Sequence, residues 1–207
     1  MDLQRIEIEL KKRLAYPYSW GRIQSNSLDY HTNFIYKTYS FEALLKLTEN
    51  FNNPLKNYAY NRWYNFWSAK AVEYIFTTHN NVVANKNAYH KYIDFSINQI
   101  PFDHKTSKFP NGFKHSIDYA KDHQKELIFW LYKNQSQQQR KHLKNRLFIV
   151  LYDGISKQHW KLKAEIMHLK LEIDKYVTDF SENNLYKFDF GQGDVLSDII
   201  WLVKGPN

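Results

Sequence analysis

One short run constrains this chain more than anything else in it: Leu147-Phe-Ile-Val-Leu-Tyr152, six apolar residues in succession. A strand without a polar parity has no side to offer water, so it belongs at the centre of a sheet covered on both faces. Helices must therefore lie above and below it. Apolar spacing predicts them over Met1 to Leu14 (Leu3, Ile6, Leu10, Leu14) and over Asn61 to Thr78 (Trp63, Phe66, Trp67, Tyr74, Ile75). Two more are predicted over Lys114 to Lys133 and over His159 to Asp179 (Leu162, Ile166, Leu169, Ile173, Tyr176). Ser40 is the expected N-cap of a short helix through Leu44, Leu45 and Leu47, which stops before Asn52-Asn53-Pro54. Tyr89 to Ile97 and Ile100 to Phe109 read as a hairpin, ended by Pro110-Asn111-Gly112. The tail, Leu185 to Lys204, reads as two short strands around Gly191-Gln192-Gly193, a turn rather than a phosphate loop because no Lys-Ser/Thr follows it. This order predicts an α/β fold with a mixed central sheet flanked by helices. No repeat or Pro/Gly/Ser-rich linker divides the chain, so residues 1–60 are expected to be a helical region packed on a core of 61–207, a single domain overall.

The hairpin carries the chemistry. Ile93, Phe95, Ile97, Ile100 and Phe102 share one parity; Asp94, Ser96, Asp103 and Lys105 share the other. A two-residue turn at Asn98-Gln99 pairs Ile97 with Ile100 and sets Asp94 opposite Asp103, with Cβ atoms roughly 5 Å apart. A three-residue loop would set Asp94 opposite Phe102 or His104 instead, and Gln99 is not a favoured residue at the positive φ of a tight turn. The clean alternation on both strands favours the two-residue turn. Carboxylates so close repel unless a cation lies between them or one is protonated. Magnesium takes such oxygens and keeps waters free for chemistry. Lys105, two residues beyond Asp103, points to the same face. There an ammonium can orient a water on the metal or neutralise charge developing on a phosphate. These are the parts needed for phosphodiester hydrolysis.

Composition narrows the chemistry further. With no cysteine, disulfides, thiolate zinc sites and cysteine nucleophiles are excluded. Sixteen Tyr, 14 Phe and 6 Trp provide surface to bury, which excludes a disordered chain. No stretch approaches the roughly 20 apolar residues of a membrane span, and Met1 to Lys12 has no hydrophobic signal region, so a cytoplasmic protein without a membrane partner is expected. The net charge of +8 arises between Lys105 and Lys175, which hold fifteen Lys and Arg against seven Asp and Glu. A basic field beside a carboxylate pocket suits a polyanion, nucleic acid above all, although charge alone is equally well explained by a solvated basic surface.

At Ile93-Asp94 and Asp103-His104-Lys105 the sequence resembles the PD-(D/E)XK, or restriction-endonuclease-like, nuclease superfamily, whose pattern is an aspartate on one strand, then an acid, any residue and lysine on the next. Ile93 stands where the pattern carries proline, and Asp103 is the shorter of the two permitted acids. The resemblance implies a restriction-endonuclease-like core over Asn61 to Asp179 and a magnesium- or manganese-dependent endonuclease acting on DNA rather than RNA. It further implies Asp94 and Asp103 as metal ligands, Lys105 as the catalytic lysine, and a glutamate from a preceding helix, a place that Glu73 fits. The backbone carbonyl of His104 would join the metal set, its ring being structural. The alternative is a nucleic-acid-binding or interaction module that keeps the fold and does not cleave; a homodimer is a candidate assembly for either.

Other residues carry two readings. Glu73 is either a metal ligand or a helix-surface carboxylate paired with Lys70. The nine histidines form no zinc motif. Arg140 to Arg146 either tracks a phosphate backbone or connects to the buried strand, the latter preferred. Trp160, Lys161 and Lys163 either contact nucleic acid or anchor the core through the tryptophan.

Overall fold

The central strand is where the sequence requires it. In a computed structural model that describes residues 1–18, 26–85, 93–134, 143–191 and 193–205, the strands are β1 (Val82–Ala84), β2 (Phe95–Ile97), β3 (Ile100–Lys108), β4 (Arg146–Asp153), β5 (Tyr186–Asp189) and β6 (Asp194–Lys204). They form one mixed sheet in the order β1-β2-β3-β4-β6-β5. β4 runs parallel to both β3 and β6, while the β1–β2, β2–β3 and β5–β6 pairs are antiparallel. Leu147 to Leu151 are fully buried.

Their two parities feed two separate cores. Leu147, Ile149 and Leu151 pack with Phe95, Phe102, Ile200 and Leu202 under helices α1 (Leu3–Arg13), α3 (Phe41–Leu47), α4 (Asn53–Thr77) and α7 (Ile166–Thr178). Phe148 and Val150 pack with Ile199 and Phe188 under α5 (Ile117–Asp122) and α6 (Gln124–Asn134). Each fully buried apolar side chain contributes about 1.5–3 kcal/mol, so the sheet is held from both sides. A short α2 (Asn26–Thr32) lies against α4.

Helix α4 organises the first layer. Asn52 caps it by accepting from Leu55 N–H at 3.0 Å, with a proline in its first turn. Pro54 therefore opens the helix rather than breaking the chain, because an N–H missing there has no helical partner to lose. The helix starts eight residues earlier than its apolar spacing indicates, and the boundary expected at residue 60 falls inside it. Indole N–H groups of Trp63 and Trp67 both donate to the Thr38 carbonyl, at 2.7 and 2.9 Å. Arg13 is wholly buried and donates to Asn61 Oδ1 and to the carbonyls of Tyr16 and Pro17, with the Trp160 ring 5.6 Å away.

Two further boundaries differ from the sequence expectation. The segment Lys114 to Lys133 is divided at His123 (φ −123°, ψ 47°) into α5 and α6. His159–Ala164 is a 3-10 turn, separated from α7 by Glu165 (ψ 63°). The first hairpin strand is described only from Ile93 onward; Tyr89 to Tyr92 lie outside the described residues, as do Gln135 to His142. Among the described residues no helix is long and apolar enough to cross a membrane.

The hairpin register is the expected one. Ile97 pairs with Ile100 and Phe95 with Phe102. Asn98 (φ 47°) and Gln99 (φ 71°) both take the positive φ that a two-residue type I′ turn demands. Glutamine is held there against its own preference. Gln99→Gly should therefore raise unfolding stability by about 0.5–1 kcal/mol in urea titrations; a loss of stability would mean that the turn is not of this type in solution.

Candidate functional site

Asp94 is held by its backbone and its side chain alike. Its carbonyl accepts from Asn85 N–H and its own N–H donates to the Phe102 carbonyl, both at 2.9 Å. The regular ladder already pairs Phe95 with Phe102. Two residues, Asp94 and Phe95, thus face one, which is the geometry of a β-bulge. This bulge corrects the expected apposition of Asp94 with Asp103. Asp94 Oδ2 instead accepts from the His104 backbone N–H at 2.8 Å and lies 2.7 Å from His104 Nδ1.

Glu73, from α4, completes the group. Ligand-capable atoms of Glu73, Asp94 and His104 all lie within 4.8 Å of one another. Both carboxylates are partly open to solvent, while the His104 ring is buried beside Phe95. Glu73 Oε2 also pairs with Lys70 Nζ at 2.5 Å, the helix-surface pairing expected of it. The backbone of β3 adds a donor. Asp103 N–H bonds to Asn145 on the β4 side, so alternation turns His104 N–H and its carbonyl to the opposite edge, where Asp94 sits. Two carboxylates and a carbonyl suit magnesium or manganese, and the imidazole suits a softer ion.

Asp103 stands apart from that group. Its Oδ2 accepts from Arg146 Nε and Nη2, each at 2.5 Å, across the β3–β4 ladder. Arg146, expected in a connector, is the first residue of β4, and its place opposite Asp103 follows from a parallel register that local sequence does not encode. Lys105 forms no hydrogen bond or ion pair with any described residue. Its side chain meets solvent, yet protein surrounds it on the remaining sides, and this burial lowers its pKa. Arg146 lowers it further, while Asp103 and Asp94 pull the other way. The ammonium therefore lies in the field of both aspartates.

Burial would raise the Asp94 pKa, but the His104 ring, its charge and its N–H, with Lys70, outweigh it and hold the carboxyl below its ordinary value. A depressed folded pKa stabilises the fold above the unfolded value and is lost as pH falls through the folded one. Asp94→Asn should therefore flatten the decline of stability below about pH 4; an unchanged acid limb would assign that decline to other carboxylates. If a divalent ion binds the Glu73–Asp94–His104 group, manganese or magnesium will raise the melting temperature. Asp94→Asn is expected to remove that rise and Asp103→Asn to leave it; the opposite result would place the ion on Asp103. No protein-family model matches the chain, and neither a curated protein nor a solved structure matches it.

Proposed function

We propose that this chain is a divalent-metal-dependent nuclease that hydrolyses phosphodiester bonds, DNA being the favoured substrate, on a restriction-endonuclease-like core. The observation that carries the reading is the convergence of Glu73, Asp94 and His104, from a helix, a bulge and a strand, with Lys105 in electrostatic reach of Asp94 and unpaired among the described residues. The element order supports it: a helix, a three-strand meander, two helices, then a strand parallel to β3. This is the α/β arrangement that the Asp94 and Asp103-x-Lys105 pattern leads one to expect.

Glu73 and Asp94 would hold the cation, with the His104 carbonyl at the same edge. A bound magnesium or manganese ion supplies Lewis acidity toward a phosphoryl oxygen and makes water more acidic. Lys105 orients the attacking water and balances the negative charge that accumulates on the phosphate oxygens. Arg146 fixes Asp103, which in turn supports the charge on Lys105. The His104 ring positions Asp94 through Nδ1.

A second reading, a nucleic-acid-binding module that does not cleave, is favoured by one observation. Arg146 and Lys70 already neutralise Asp103 and Glu73 from within the chain. Incubation with supercoiled plasmid and single-stranded DNA, with magnesium, manganese or EDTA, separates the two. Metal-dependent nicking is expected, and tight binding without nicking under any metal would select the module. Lys105→Ala should keep the fold, since a partly wet position costs little stability, and should keep the metal-induced rise in melting temperature. Its cleavage rate should fall by a factor on the order of 10² or more. A variant cleaving at the wild-type rate would remove Lys105 from the mechanism.

A further inference from the structure

The basic groups along the second half of β3 outnumber what the reaction centre uses. Lys108, like Lys105, makes no hydrogen bond or ion pair with any described residue. Lys163, in the 3-10 turn, has a neutral partner, the side-chain oxygen of Asn65 on α4 at 2.7 Å, and forms no ion pair among the described residues. Between the two β3 lysines stands Thr106, whose Oγ1 is buried with no hydrogen-bond partner among the described residues. Thr106 and Lys108 share the strand parity of His104, whose ring faces Phe76 of α4 at 6.4 Å. The 3-10 turn packs against both β3 and α4, closing the same space.

Burial lowers the Lys163 ammonium to about 8, and repulsion from Lys105 and Lys108 adds to the effect. Positive charges are thus held near one another, with a hydroxyl that lacks an acceptor. Nature tolerates such an arrangement where an anion with several oxygens completes it. Lysines serve phosphate as point charges that need no fixed fork geometry.

We propose that Lys163, Lys108 and Thr106 form a phosphate subsite that holds the backbone phosphate neighbouring the one attended by Lys105, and so sets how the nucleic-acid strand lies across the reaction centre. The identity of the ligand as nucleic acid rests on the nuclease reading; the anion-binding character does not. Asn65 holds Lys163 in position as the ligand leaves and returns.

The test uses the full chain and two variants, Lys163→Gln and Lys108→Gln. With a fluorescent 20-base-pair duplex in EDTA, each variant should bind about 3- to 10-fold more weakly, with a log affinity–log salt slope smaller by about one. With metal present, each should raise KM and leave kcat within about twofold, unlike Lys105→Ala. A separate arm uses inorganic phosphate and pyrophosphate, which should raise the wild-type melting temperature and fail to raise that of the variants. Unaltered affinity and salt slope in both variants, with a wild type that cleaves, would overturn the subsite and leave the nuclease reading intact. A phosphate-induced rise confined to the wild type, in a protein that cleaves nothing, would sustain the subsite and overturn the nuclease reading. No response to duplex or phosphate by the wild type would overturn the subsite. Should Lys163→Gln fail to fold, Lys108→Gln decides, because Lys108 is exposed at the strand end.

Discussion

Because Leu147 to Leu151 are enclosed on both faces, β4 is stable only while both helical layers are closed upon it. That requirement sets the positions of its neighbours. β3 takes its direction from β4 by parallel pairing from Asp103 to Lys108, and the hairpin hangs from the other end of β3. α4 covers the same face and delivers Glu73 to the point where β2 leaves the sheet. The candidate site therefore lies where the sheet stops being regular. Its carboxylates come from a long helix and from a bulge beside a three-residue strand, both packed on the face of the sheet that β4 anchors.

A tension between internal and external cations runs through this region. Lys70, Arg146 and the His104 ring each engage a carboxylate, and each partner is only partly shielded from water. The Lys70–Glu73 pair is the most open of the three, of a kind typically worth under about 1 kcal/mol, and the other two are more deeply set. Each contact would have to yield before a more highly charged ion could take its carboxylate. On the proposed reading, the resting pairs are placeholders. On the binding-module reading they are the final state. The same contacts serve both, and only their strength against a divalent ion separates them.

Much of this was legible in the residues. The unbroken apolar run placed β4, and strict alternation placed the Ile97–Ile100 turn in spite of a poorly suited Gln99. Spacing singled out Asp94, Asp103 and Lys105, and of these only Asp94 lies in the group that Glu73 and His104 complete. What alternation does not encode is a bulge. Asp94 leaves the ladder because its side chain competes for the His104 N–H, a contact between a side chain and the backbone that no periodicity records. The same limit hid the break at Glu165, since Leu162, Ile166, Leu169 and Ile173 keep helical spacing across it. β1 is three residues long, too short to leave a pattern. Asn52-Asn53-Pro54 does follow the end of α3 as expected, but Pro54 also stands in the first turn of α4, a start that apolar spacing does not show before Asn61.

The early departure of β2 has a cost that lies outside ligand binding. Past Phe102 no described strand pairs with that side of β3, although the strand continues to Lys108. An unpaired stretch of backbone in extended form is a template for a strand of another molecule, the usual beginning of edge-to-edge aggregation. Lys105 and Lys108 flank this edge, and a second copy approaching in register would bring its own lysines against them. The charges would repel before the main chains could join. Two lysines thus guard the stretch of sheet that no described strand covers in a chain rich in aromatic residues.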